Sequence, residues 1–148
     1  MSASRETIYA ALWNLISDNL NMRSEYVTMS RSIIPIADMS MDAMPALFMV
    51  QHGEDWVRPG KGIPPKRTLH CSLVIYAWTP GQRQILPSTL LNGAMDVLDN
   101  LMEKTNPQTL GGLVEHAYIE GTVQIVEAQI GSGENGSILV APIAILIP

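Results

Sequence analysis

Charged side chains are scarce in this chain: nine Lys or Arg and fourteen Asp or Glu make up only 16% of its 148 residues. A soluble domain of this length ordinarily carries roughly 37 charges, about a quarter of its residues. The apolar share is an ordinary 47%, and mean hydropathy is +0.14. That combination excludes intrinsic disorder, which needs low hydrophobicity and high net charge. Long hydrophobic runs are lacking too. The longest, Ile138 to Ile147, is ten residues with Pro142 inside it, about half of what a membrane-spanning helix requires. A single cysteine, Cys71, excludes a disulfide framework and a Cys-rich metal centre. No basic n-region with an apolar core behind it opens the chain, because Met1 to Arg5 leads straight into an amphipathic segment. These absences leave one cytosolically made globular domain, long enough to bury about 68–70% of its unfolded surface.

The charges that are present are unevenly placed. Arg58, Lys61, Lys66 and Arg67 put four of the nine cations within ten positions. Outside that window five basic residues stand against fourteen acidic ones, a balance of −9, whereas the whole chain carries −5. An acidic body lacks the basic field that non-specific nucleic-acid binding needs. The sequence therefore describes an acidic body with one basic loop.

Hydrophobic periodicity predicts a helix at the start, where Ile8, Ala11, Leu12, Leu15 and Ile16 form one apolar stripe. Ser4 is its N-cap, Glu6 suits its first turn, and Asn19 and Asn21 are stop residues. Ser24 to Arg31 fits a strand, Ile33 to Pro45 an extended connection, and Ala46 to Gln51 a short buried strand. Gly53 to Arg67 holds three prolines and three glycines and is expected to be a long exposed loop. Leu69 to Thr79 alternates, with Leu69, Cys71, Leu73, Ile75 and Ala77 on one face, and Thr79-Pro80-Gly81 ends it. Leu90 to Lys104 predicts a second helix, buried through Leu91, Ala94, Met95, Leu98, Leu101 and Met102, capped by Ser88 or Thr89 and closed by Asn106-Pro107. Its opposite face carries Asn92, Asp96, Asp99 and Glu103. Tyr118 to Ile130 reads as one half-exposed strand, with Ile119, Val123 and Ile125 on one face. Gly131 to Gly136 is a hairpin link, and Ser137 to Leu146 a last strand apolar on both faces. The expected fold is α+β: two helices packed on a mostly antiparallel sheet of about five strands, a two-layer sandwich with one crossover.

No strong catalytic motif emerges. Gly131 to Gly136 matches G-x-G-x-x-G literally, but a strand follows where the dinucleotide fingerprint needs a helix, so the segment reads as a hairpin turn. His52, His70 and His116 lie in three separate segments without metal-ligand spacing. His70 and Cys71, as strand neighbours, point to opposite faces and cannot act as a nucleophile–base pair. Asp38/Asp42 and Asp96/Asp99 are paired carboxylates, the second pair on a helix's solvated face rather than across a cleft. The basic loop is the sharpest local signal: its glycines let an arm bend, its prolines limit the entropy lost on docking, and Trp56 and Val57 offer an apolar anchor. Nine methionines and three tryptophans beside one phenylalanine suit adaptable contact surfaces, as does the shortage of charge.

Beyond these elements the layout resembles a known family. A leading helix is followed by a strand with Ser30-Arg31, then by P-A-L-F-x-V-Q over Pro45 to Gln51 and a long loop. A strand ending W-T-P, a helix L-N-G-A-M-D-V-L-D-N-L over Leu91 to Leu101, and two closing strands with Glu120-Gly121 complete it. This is similar to the tail terminator and minor tail proteins of long-tailed bacteriophages, the lambda-type terminator and its relatives. The resemblance spans nearly the whole chain. It implies a structural virion protein, assembled in the host bacterial cytoplasm, that forms a hexameric ring at the head-proximal end of the tail tube. Such a ring stops tube polymerisation and joins the head-completion, or neck, protein. It implies no enzyme activity, no cofactor, no metal and no membrane. Trp56, Arg58, Lys61, Lys66 and Arg67 would then contact a neighbouring subunit or the tube. DNA would pass through the lumen without specific binding, for which Asp96, Asp99 and Glu103 are the candidate acidic lining. A head–tail connector is the alternative, and a small-molecule-binding module or an enzyme with an unrecognised site stands behind both.

Overall fold

The computed structural model describes residues 3–21, 26–78, 87–103 and 107–148. Two helices pack on one face of a mostly antiparallel sheet, giving an α+β fold. The chain runs α1 (Arg5–Asn21), β1 (Thr28–Ser30), β2 (Ala46–Val57), β3 (Lys66–Ala77), α2 (Pro87–Met102), β4 (His116–Ile119), β5 (Gln124–Gln129) and β6 (Asn135–Ile147). The sheet order is β1-β2-β3-β6-β4, with β5 also paired to β6. Because β4 pairs with residues 143–146 of β6 and β5 with residues 135–140, the two share one edge, and six strands fill five lanes. The crossover runs from β3 through α2 to β4, passing β6.

Helix α1 begins as its sequence dictates. The Ser4 hydroxyl accepts the Thr7 amide at 3.2 Å, and the Ser4 carbonyl accepts the Ile8 amide. Ile8, Leu12, Ile16 and Leu20 recur on the buried face, joined by Tyr9, whose hydroxyl donates to the His70 carbonyl at 3.3 Å. Ala11 and Leu15 only flank the core. Helix α2 starts at Pro87, earlier than expected, with proline in the first turn where its missing amide costs nothing. Leu91, Ala94, Leu98 and Met102 are its buried stripe. Between the helices and the sheet lie Leu47, Met49 and all five predicted inward residues of β3, Leu69, Cys71, Leu73, Ile75 and Ala77. The predicted turn at Thr79-Pro80-Gly81, the residues Ser24 and Glu25, and the end of α2 from Lys104 to Asn106 lie outside the described residues.

The connection over Ile33 to Pro45 is more than extended chain. It makes two 3-10 turns, Ile36–Asp38 and Met41–Ala43, and covers part of the sheet's second face. Met39 and Met44 are buried there with Phe48, Val74, Tyr76 and Ile130. Methionine's flexible thioether fills such irregular gaps, which explains the absence of a clean hydrophobic period. The Phe48 and Tyr76 rings meet at 5.2 Å, and the Tyr76 hydroxyl donates to the Ile34 carbonyl at 2.8 Å. The β5–β6 hairpin closes against this connection: the Gly131 amide donates to the Met39 carbonyl at 2.6 Å. A Cβ on Gly131 would stand 2.7 Å from the Ala37 carbonyl oxygen and 2.8 Å from that of Met39. Both neighbours are backbone and cannot swing aside, so Gly131→Ala should lower stability by about 1–3 kcal/mol, read as a reduced urea midpoint at unchanged m-value.

Three strand expectations are corrected. β2 does not stop at Gln51, and the expected loop from Gly53 to Arg67 is confined to residues 58–65. All three prolines of that stretch fall within 58–65, so nothing prevents residues 54–57 from pairing with 66–69. The segment Tyr118 to Ile130 is not one strand; it breaks at Glu120–Val123, where Gly121 adopts φ +88°. Ile125 is not turned into a core either, because β5 is exposed on both faces except at Ala128.

Burial of Cys71 pushes its thiol from an ordinary 9.0 up to about 12, and burial likewise raises the Tyr9 hydroxyl from 10.0 to about 12. Both groups hold their protons longer in the folded state than in the unfolded chain. Their contribution is therefore complete below about pH 9 and is lost as pH rises toward 12. Cys71→Ala should flatten the fall in unfolding free energy between pH 8 and pH 11, measured by urea titration at each pH.

Candidate interaction surface

The basic arm is a β-hairpin rather than a free loop. Residues 54–57 of β2 pair with 66–69 of β3, and the tip turns through Gly60-Lys61-Gly62-Ile63. The Ile63 amide donates to the Gly60 carbonyl at 3.2 Å, and Gly62 sits at φ +79°, a conformation that favours glycine. Trp56 and Arg67 are cross-strand partners, and the Arg67 guanidinium lies 5.3 Å from the Trp56 ring centroid. Trp56 remains 51% exposed and Val57 63% exposed, and Ile63 at the tip is open as well.

Among the described residues, Arg58, Lys61, Lys66 and Arg67 have no acidic partner within salt-bridge distance, whereas the cations nearer the body do. Arg5 meets Glu54 at 2.9 Å, and Arg31 pairs with Glu6. Hydrogen bonding to Arg31 holds the Glu6 carboxyl below its ordinary value, and the guanidinium's charge adds to the effect. The fold thus gathers the five predicted arm residues into one projecting, apolar and cationic structure whose cations meet no carboxylate among the described residues.

Asp96 and Asp99 lie exposed on α2, as their spacing predicts. Glu103 is exposed but tied down: its Oε1 accepts the Ile119 amide at 3.0 Å, fastening the end of α2 to β4.

The structure also assembles a feature that sequence spacing concealed. On the part of the second sheet face left open by the 33–45 connection lies a shallow cavity of about 430 Å³, lined by His52, Asp55, His70, Ser72, Glu120 and Pro142 among others. His52 Nε2 lies 2.9 Å from Ser72 Oγ, and His70 Nε2 lies 2.8 Å from Asp55 Oδ2. A one-residue register shift between Gln51 and Glu54 makes this possible. The bulge reverses the parity of β2, so odd residues face the helices before it and even residues after it. His116 joins the same face, opposite Leu146 and 4.9 Å from the Tyr118 ring. A hydroxyl–imidazole pair and an imidazole–carboxylate pair are the parts of a nucleophilic triad. Here they belong to different histidines, and no carboxylate hydrogen-bonds His52 among the described residues. Nor does any group of three His, Cys, Asp or Glu residues among them have the geometry to hold a metal ion. The groove's polar pairs brace the bulge.

No protein-family model matches this chain, and no characterised protein is significantly similar to it in sequence.

Proposed function

We propose that the chain is a structural subunit of a long-tailed phage virion, a tail terminator. It forms a ring on the head-proximal end of the tail tube, stops the tube's growth and receives the neck protein. The observation that carries this reading is the arm. Four cations with no carboxylate partner among the described residues and three exposed apolar side chains project from a body whose remaining charge is −9. An acidic surface is its complement, and the acidic surface present at highest local concentration during assembly is another copy of the same chain. The scarcity of charge fits as well, because subunit interfaces are depleted of Lys, Glu and Asp. Asp96 and Asp99 give the ring a lumen lining that DNA passes without adhering. The α+β fold and the run of motifs from Ser30-Arg31 to Glu120-Gly121 agree with that family's layout.

The expected result in solution is a closed oligomer, six copies in the family's pattern, at high protein concentration or in the presence of tubes. Multi-angle light scattering across a concentration series reads the mass directly. A chain that stays monomeric at every concentration and does not bind tubes contradicts the proposal.

A further inference from the structure

Resting on the ring reading, we propose that the arm of one copy docks on the β5 end of the next, through side chains rather than by extending a sheet. The arm begins at Trp56, because the two acids before it belong to the body. Glu54 is bound by Arg5 at 2.9 Å, and Asp55 by His70 at 2.8 Å. From Trp56 to Arg67 the chain holds four cations and no acid, and it leaves Trp56, Val57 and Ile63 exposed.

The complementary surface is built by two segments, the connection over 36–43 and the hairpin over 124–134. They are fastened to each other: the Gly131 amide donates to the Met39 carbonyl, the Met41 amide donates to Ser132 Oγ at 3.3 Å, and Ile130 is buried with Met39. Together they carry Asp38, Asp42, Glu127 and Glu134 and not one Lys or Arg. None of these four acids forms a salt bridge among the described residues. The same segments expose Met41 at 37%, Ile125 at 40% and Val126 at 47%. Protein interfaces combine apolar anchors with a polar rim, and here each side offers three exposed apolar side chains and four charges of one sign. Complementary potentials of this kind select the partner and fix its orientation.

The two surfaces lie at opposite ends of the molecule. Val126 is level with Ile138 of β6, and Arg67 is level with Ile147, nine residues further along the same strand. At about 3.3 Å per residue the separation is roughly 30 Å, and residues 58–65 extend from the far end. The arm therefore cannot reach the β5 surface of its own chain. A contact between two different patches is heterologous: it runs head to tail from copy to copy and closes into a ring when the rotation between neighbours allows. Each copy in such a ring uses its arm once and its β5 surface once. A self-complementary patch would stop at a dimer instead.

Charge exchange tests the contact. The variant Asp38→Lys/Asp42→Lys/Glu127→Lys reverses three exposed acids of the β5 surface, and its thermal melt should stay within a few degrees of the parent. Alone, it should remain monomeric in light scattering. So should the chain with Arg58, Lys61, Lys66 and Arg67 changed to glutamate. Mixed in equal amounts the two should assemble, because each one's arm then meets opposite charge on the other and the copies alternate around an even-numbered ring. Carbodiimide coupling of the unaltered ring supplies a second reading, since it joins a lysine amine to a carboxylate with loss of water and adds no spacer. It should link Lys61 or Lys66 of one copy to an acid within 36–43 or 124–134 of another. Links from those lysines to Asp96 or Asp99 instead would overturn the docking surface. If the parent forms the ring but the β5-surface variant assembles equally well, or the mixture fails to assemble, the docking fails while the ring reading stands. A parent that stays monomeric at every concentration and binds no tubes defeats both.

Discussion

Reversing Arg58, Lys61, Lys66 and Arg67 together to glutamate is expected to abolish ring formation and leave the subunit folded. Each exchange removes one positive and adds one negative charge, so four of them carry the chain from −5 to −13. The arm then repels the acidic surface it is proposed to meet. All four side chains act at the exposed hairpin, and none is paired with a carboxylate among the described residues, so the fold loses little. The main internal loss is the Arg67 contact with the Trp56 ring, about 0.5–1 kcal/mol at an exposed site. Thermal melts should stay within a few degrees of the parent, while sedimentation velocity should find only monomer. Neutral glutamine at the same four positions should give an intermediate result. Raising salt should weaken the parent's assembly, because exposed charges are screened over about 8 Å at physiological ionic strength. An oligomer of unchanged size and salt response would exclude the arm from ring formation.

The opposite outcome, a large loss of stability, is expected from Leu73→Ala. Leu73 lies at the centre of β3, fully buried, between Met49 of β2 and Ala141 of β6, and it faces the helices. Removing its side chain deletes apolar contact with both layers and leaves a cavity that a central strand, fixed on both sides, cannot close. Leucine-to-alanine changes of this kind cost about 2–5 kcal/mol. A domain stable by about 5–15 kcal/mol loses a large fraction of that. Urea titration should show a strongly lowered midpoint, and at the upper end of the range the variant is partly unfolded at 37 °C. Leu73→Met, which conserves volume, should cost under about 1.5 kcal/mol. The pair separates loss of packing from any change of surface, because position 73 meets no solvent.

Much of this architecture is legible in the residues. β3 alternates strictly from Leu69 to Ala77, and each inward residue is where period two places it. The stripes of α1 and α2 read equally well, and so does the role of Cys71 as a small core residue. β2 is harder: its parity changes at the bulge beside Gly53, and a reading of fixed period places Glu54 and Trp56 on the wrong face. β5 misleads for a different reason. Ile125 and Val126 have the composition of a strand's buried face, but no described residue covers them. The arm was visible as four cations in ten residues. The paired histidines were not, because His52 and His70 come together only through the strand pairing and the bulge.

Tail tubes assembled with and without the purified chain, and imaged by electron microscopy, give the most direct test of a terminator. The expected images show a ring of density on one end of each tube, and tubes that stop lengthening once it is bound. Tubes that keep growing with bare ends, while the chain remains in the supernatant, would contradict a role at the tail's head-proximal end.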